Sequence, residues 1–267
     1  MKAAAQFSVV YQDHDIVVLN KASGLLVAAD RWDPDAQRLD VLATKELCGE
    51  GERLFAVHRI DKDTSGLVIY GRTEEAHRTL SMAFENREVE KTYHALVYGR
   101  PDWDELDVDV PLRADGDLKH RTIKDKRGGK PARTAFRYIG ACGPYSWIEA
   151  KPVTGRTHQI RVHLALSGLT IVCDPLYGKA DPLLLSKIKR SWHGDEFEER
   201  PLLDRLGLHA WKMRVAHPIT KEMMEFTAPY PRDLDTTRKQ LAKIFGTDPL
   251  AEPGEVEPDD GKPELKF

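Results

Sequence analysis

The sequence predicts an α+β domain built on a large mixed, mainly antiparallel sheet flanked by helices and loops. Three observations carry this expectation. Apolar runs of strand length recur through the first 230 or so residues, separated by turn groups such as QDHD and KASG. Helical spacing is confined to a few stretches that do not alternate regularly with the strands, which argues against a doubly wound parallel sheet. Hydrophobic residues make up 41% of the 267 positions, enough to fill one large core or two small ones.

Taken in order, residues 7–29 (FSVVYQDHDIVVLNKASGLLVAA) read as a strand, a turn, a second strand and a return. Leu39, Leu42, Ala43 and Leu47 fall near helical spacing within 35–47, and Gly49 and Gly51 end that helix. RLFAV (53–57) and LVIYGRT (67–73) read as strands. Thr73 is a good N-cap, and Glu74 and Glu75 suit the positive end of a helix running to about residue 87. In EKTYHALVYGR (90–100), period-two alternation puts Tyr93, Ala95 and Val97 on one side of a strand. Further strands follow at 105–112, 132–140 and 145–153. THQIRVHLALSG (157–168) reads as a helix capped by Thr157 and stopped by Gly168. Residues 179–205 are rich in charge and proline and read as an insertion, with a short helix around LLLSKIK. The segments 207–218 and 221–229 close the domain as two strands. The expected organisation is one domain over 1–235 and a C-terminal extension over 236–267, acidic and disordered from about residue 248.

No apolar stretch approaches the roughly 18–20 residues that span a membrane. The opening residues MKAAAQFSVVYQDHD lack an apolar signal core, so a cytoplasmic location is expected. The three cysteines are far apart and form no C-x-x-C pair, so neither a disulfide framework nor a zinc ribbon is indicated, and they read as small buried hydrophobes. No feature demands more than a monomer. The net charge of −3 hides an asymmetry: residues 248–267 carry a net −5, leaving about +2 for the rest. Residues 119–133 hold seven Lys/Arg, among them Lys124, Lys126 and Arg127, against one Asp. Such a segment is either a solvated loop or a mobile arm that contacts phosphates.

The densest chemistry is HRIDKDTSGL (58–67), between two apolar runs. Asp61 is placed near a strand end, where it would face a cleft, with Arg59 near enough to keep the carboxylate ionised. An ionised, positioned carboxylate serves as a nucleophile or stabilises a developing positive charge. Thr64, Ser65 and Gly66 suit a tight turn, and either aspartate could instead merely cap it. A second cluster, KPVTGRTHQIRVHLALSG (151–168), puts Arg161 at the edge of the face marked by Ile160 and Leu164, from which it could reach a buried acid or lie exposed. His158 and His163 are five apart, which is wrong for two ligands on one helical face, so hydrogen-bonding or packing roles fit better than a metal site.

NKASGLLV (20–27), HRIDKDTSGL (58–67), KTYHALVYG (91–99), TGRTHQIRVHLALSG (154–168) and DPLYG (174–178) occur in that order. Together they resemble the RluA family of RNA pseudouridine synthases. The resemblance spans residues 7–230, with departures at Ala22, Ile60 and Cys173, where the family usually has Pro, Leu and Gly. It implies the pseudouridine synthase fold, ribosomal or transfer RNA as partner, no cofactor and no metal. The implied reaction turns uridine into pseudouridine, exchanging the N1–C1′ bond for a C5–C1′ bond. By resemblance, Asp61 is the catalytic acid, Arg161 pairs with it, Tyr93 stacks on the uracil and can help remove the C5 proton, and Arg59 fills the gap left by a flipped nucleotide. A rival use of Asp61 and Asp63 as a glycosidase pair needs carboxylates roughly 5–10 Å apart across a sugar, which positions i and i+2 of a tight turn rarely give. A non-catalytic RNA-binding module would not need the full HRID, Tyr93 and Arg161 set.

Overall fold

The computed structural model describes residues 6–29 and 35–251. Strands β1 (Phe7–Gln12) and β2 (Ile16–Lys21) form a hairpin, followed by α1 (Leu39–Leu47), β3 (Phe55–Ala56), β4 (Ser65–Gly71), α2 (Glu74–Glu85) and β5 (Glu90–Tyr98). Next come β6 (Glu105–Asp109), β7 (Leu112–Arg113), β8 (Ile123–Lys124), β9 (Arg133–Cys142), β10 (Tyr145–Pro152) and α3 (Gln159–Leu166). The chain closes with β11 (Thr170–Ile171), β12 (Leu208–Ala216), β13 (Met223–Thr227) and α4 (Arg232–Phe245). Eleven strands form one sheet with the main order β1-β2-β4-β12-β5-β10-β9-β6, while β7 and β8 pair separately. Among the described residues, of the sheet's strand pairings only β12 with β4 is parallel, as the expected mixed, mainly antiparallel α+β architecture requires.

Side-chain alternation sorts the core. On one face of β2 and β4, Val17, Leu19, Val68 and Tyr70 pack with Leu39 and Ala43 of α1. On the other, Ile16, Val18, Leu67 and Ile69 pack with Ala76 and Leu80 of α2. β4 is buried along its whole length, which accounts for the run GLVIYG in place of polar alternation. α2 starts as expected, with the Thr73 side chain accepting the Ala76 N–H. α3 packs Ile160 and Leu164 against Ala95, Val97, Ile148 and Ala150 of β5 and β10. Tyr93 borders both this cluster and the one beneath α1.

Four expectations need correction. Thr157 does not cap α3; the N-cap is His158, held at φ 54° with no side-chain cap bond. Residues 183–189 form turns instead of a helix, and Leu183 bridges to Leu203, so the base of 179–205 is built into the core beside Trp147. The boundary at residue 235 falls inside α4, whose Leu234 and Leu241 are fully buried in that same cluster. The disorder expected from about residue 248 does not extend to 248–251: Arg238 forks onto Asp248, and Leu250 packs beneath α4. The rest of the acidic tail, 252–267, lies outside the described residues.

Candidate active site

The chain leaving β3 enters a turn, Asp61–Thr64, closed by the Thr64 N–H donating to the Asp61 carbonyl at 3.1 Å. Asp63 is part of this turn, and Thr64 ends it, buried. Ser65 and Gly66, expected in the turn, instead open β4. Gly66 explains why the turn ends there. Its φ is +114°, and a Cβ would lie 2.2 Å from the Ala210 carbonyl of the parallel neighbour β12. Only glycine permits that approach. Ser65 is buried, its hydroxyl 2.9 Å from His209 Nδ1 and 3.2 Å from an Arg205 amine. The turn is held from the other side by Lys21, whose fully buried ammonium donates to the carbonyls of Ala22, Leu25 and Lys62 at 2.8–2.9 Å. Burial pushes Lys21 down to about 7, against the pull of the Asp63 and Asp61 charges.

This scaffold puts Asp61 on a cleft of about 890 Å³. Its walls include Arg59, Asp61, Tyr93, Arg156, His158 and Arg161, and its size suits a bound nucleoside with neighbouring groups. Arg59 is exposed at the cleft, and the guanidinium beside Asp61 is that of Arg161 from α3, with Nη1 3.6 Å from Oδ2. Arg161 is itself buried, and its Nε and Nη2 fork onto Asp174 at 2.8 and 2.7 Å. Asp174 also accepts the N–H groups of Leu176 and Tyr177. Burial alone would raise the Asp174 carboxyl, but the Arg161 fork and these N–H groups outweigh it and hold it below the usual range. The Arg161 guanidinium lies 5.2 Å from the centre of the Tyr177 ring.

Asp174, Tyr177, His158 and Lys21 were not singled out from the sequence as site residues, although DPLYG and NKASG marked two of the places. Cys173, just before Asp174, lies in the left-handed region at φ 58°. That accounts for the glycine expected there. Its thiol donates to the carbonyls of Asp181 and Leu203. His163 bonds Thr134 Oγ1 and the Val110 carbonyl, and His158 Nδ1 lies 3.0 Å from the Tyr177 hydroxyl, so both histidines have hydrogen-bonding roles. His58, at the head of the motif, accepts the Ile69 N–H and stacks on Phe84, and burial pushes it down to about 3. It is a neutral strut for the loop.

Tyr93 stands in the central strand β5, opposite Ala150 of β10 and Ala210 of β12. Those small neighbours leave room beside its ring. Burial and the Asp61 charge push its hydroxyl well above the usual phenol range. Lys124, Lys126 and Arg127 lie on the exposed side of the β7–β8 hairpin and its following turn, where Asp125 Oδ1 accepts the Arg127 and Gly128 N–H groups. The expected mobile arm is thus a folded hairpin. Its base meets the site, with Thr122 N–H donating to the Tyr177 hydroxyl and Arg121 Nη1 to the Leu176 carbonyl. Among the described residues no helix is long and apolar enough to cross a membrane.

Comparison with known proteins bears on the family and the fold. The family model for RNA pseudouridylate synthase matches residues 15–166. An uncharacterized RNA pseudouridine synthase of Chloroflexus aurantiacus is 38% identical over 83% of this chain and 65% of its own length. The ribosomal large subunit pseudouridine synthase D of Zymomonas mobilis is 33% identical over 87% of this chain and 72% of its own. The ribosomal large subunit pseudouridine synthase C of Vibrio vulnificus is 34% identical over 90% and 70%. The chain therefore spans about two thirds of the length of these relatives. Among solved structures, human RNA pseudouridylate synthase domain containing 4 shares the fold at TM-score 0.68 and 23% identity, covering 88% of this chain and 92% of that one. Human RNA pseudouridylate synthase domain containing 1 superposes at TM-score 0.62 and 25% identity, covering 86% and 87%. With motifs, fold and site in agreement, the chain belongs to the RNA pseudouridylate synthase family, as its RluA-type motifs lead one to expect.

Proposed function

We propose that this chain converts a uridine of ribosomal RNA to pseudouridine, with Asp61 as the catalytic acid. The observation that carries the reading is the Asp61 carboxylate on a nucleoside-sized cleft, 3.6 Å from the buried Arg161, with Tyr93 in the same cleft. The reaction breaks the N1–C1′ bond, turns the uracil and joins C5 to C1′. N1 ends with a proton and C5 loses one, so no redox partner or cofactor is needed to balance it. Asp61, facing the Arg161 guanidinium, either attacks the sugar or steadies the positive charge that develops as the base departs. A uridine in folded RNA must first leave its stack at a cost of a few kcal/mol. The Tyr93 ring offers a stacking surface, and Arg59 at the cleft can occupy the vacated position. The names of the C- and D-type relatives support a ribosomal substrate over transfer RNA, and the reading places the chain in the cytoplasm as a monomer.

Purified protein is expected to release tritium from ribosomal RNA labelled at uridine C5, without added metal or nucleotide and without shortening the RNA. Free uracil among the products would mean hydrolysis and would overturn the reading. Labelled transfer RNA in parallel reports on the substrate class.

Replacing Lys124, Lys126 and Arg127 together by Ala is expected to weaken RNA binding about equally for all sequences. The log–log salt slope should fall by about 2 units, since each phosphate contact contributes roughly 0.7–0.9. The three side chains are exposed, so melting temperature should hold. An unchanged salt slope would return this hairpin to an ordinary solvated surface.

A further inference from the structure

We infer that Tyr177 is a positioning residue joining the basic hairpin to Arg161, so that RNA held on the hairpin sets the arginine that faces Asp61. The inference rests on the reading of the chain as an RNA pseudouridine synthase. Tyr177 has two faces of contact. Its ring lies beneath the Arg161 guanidinium at 5.2 Å, while its hydroxyl accepts the Thr122 N–H at 2.8 Å. The same hydroxyl is 3.0 Å from Nδ1 of His158, the left-handed N-cap of the helix that carries Arg161. The contact is reinforced alongside. Arg121 donates Nη1 to the Leu176 carbonyl at 3.1 Å and Nε to Asp117 at 2.7 Å. Asp174 takes the Arg161 fork and the backbone N–H groups of Leu176 and Tyr177 on the same carboxylate.

Two neighbouring hairpin residues thus grip two neighbouring residues of the 174–177 turn, and that turn grips Arg161. Lys124, Lys126 and Arg127 begin only two residues beyond Thr122. A load on those cations therefore reaches the guanidinium through one N–H···O bond and one ring contact. Asp61 lies beside Arg161, with Nη1 3.6 Å from its Oδ2, so a shift of the guanidinium is felt at the carboxylate. Energetic coupling between two regions needs a connected physical element that both bias, and residues sharing such an element show non-additive effects.

The test is a double-mutant cycle on kcat/KM for tritium release from folded ribosomal RNA. Tyr177→Phe keeps the ring under Arg161 and removes the hydroxyl. In the otherwise unaltered protein it is expected to lower kcat/KM about five- to tenfold, the value of one hydrogen bond. In the background with Lys124, Lys126 and Arg127 already replaced by Ala, the same change is expected to cost less than about twofold. A residue with only a packing role would give the same loss in both backgrounds, and that additive result overturns the inference. Arg121→Ala, on the partly exposed side of the same junction, provides a second probe if Tyr177→Phe does not fold, with the same non-additivity expected. Failure of the unaltered protein to release tritium overturns the functional reading itself, whereas release with additive losses overturns only the role of Tyr177.

Discussion

Asp61→Asn is expected to reduce tritium release by at least about 10³-fold, the scale of loss when a charged group central to the chemistry is removed, while RNA affinity and melting temperature change little. Asn matches Asp in shape and retains an oxygen, so the cleft keeps its form and only the negative charge is lost. Folding is spared because Asp61 is about a quarter exposed and because Arg161 keeps its bidentate partner Asp174. Asp63→Asn is the internal control. Asp63 contributes its backbone carbonyl to Ser23 Oγ at 2.7 Å, which the substitution keeps, so activity should remain within a few-fold. Full activity in Asp61→Asn, or equal losses in both variants, would remove Asp61 from the catalytic role.

The two aspartates show how far the sequence could be read. In HRIDKDTSGL they are indistinguishable by composition, and family resemblance alone chose between them. The structure separates them within one turn: Asp61 opens it and lines the cleft, whereas Asp63 sits at its centre. β2 and β4 were legible as short apolar runs, α2 by its cap and spacing and β5 by alternation, because all of these are short-range signals. The parallel contact of β12 with β4 was not, because it joins His209 to Ser65 and Ala210 to Gly66 across most of the chain. Gly66 carried the trace of that contact, but a glycine after Thr-Ser reads locally as a turn. α4 was missed because its buried Leu234 and Leu241 stand among charged and polar residues and acquire meaning only against Trp147 and Leu183.

The electrostatics of the site were legible only in part. Arg161 was expected to reach toward a buried acid, and it does, but the fully buried acid is Asp174, with Asp61 at longer range. One arginine shared by two carboxylates divides the work. The buried partner fixes the position of the guanidinium, leaving Nη1 to face Asp61 at the cleft.

That division makes Asp174→Asn the largest expected change in stability. Removing one member of a buried pair leaves the other charge uncompensated, at a typical cost of about 3–5 kcal/mol. The value here should fall near about 3 kcal/mol, because Asn can still accept the Leu176 and Tyr177 N–H groups and Asp61 remains near Arg161. The pH dependence has a definite sign. The folded-state pKa of Asp174 is depressed. Its contribution is therefore complete above the unfolded carboxyl value of about 3.9 and is lost as pH falls through the lower folded value. Urea unfolding at pH 7 should show the full difference between the unaltered protein and Asp174→Asn, and the gap should narrow steadily below about pH 4. A gap under about 1 kcal/mol at pH 7 would place this pair with exposed salt bridges. A gap that stays constant into acid would show that the lost stability comes from packing or hydrogen bonding and not from the carboxylate's charge. Activity should fall together with stability, because Arg161 loses the fork that fixes its guanidinium beside Asp61.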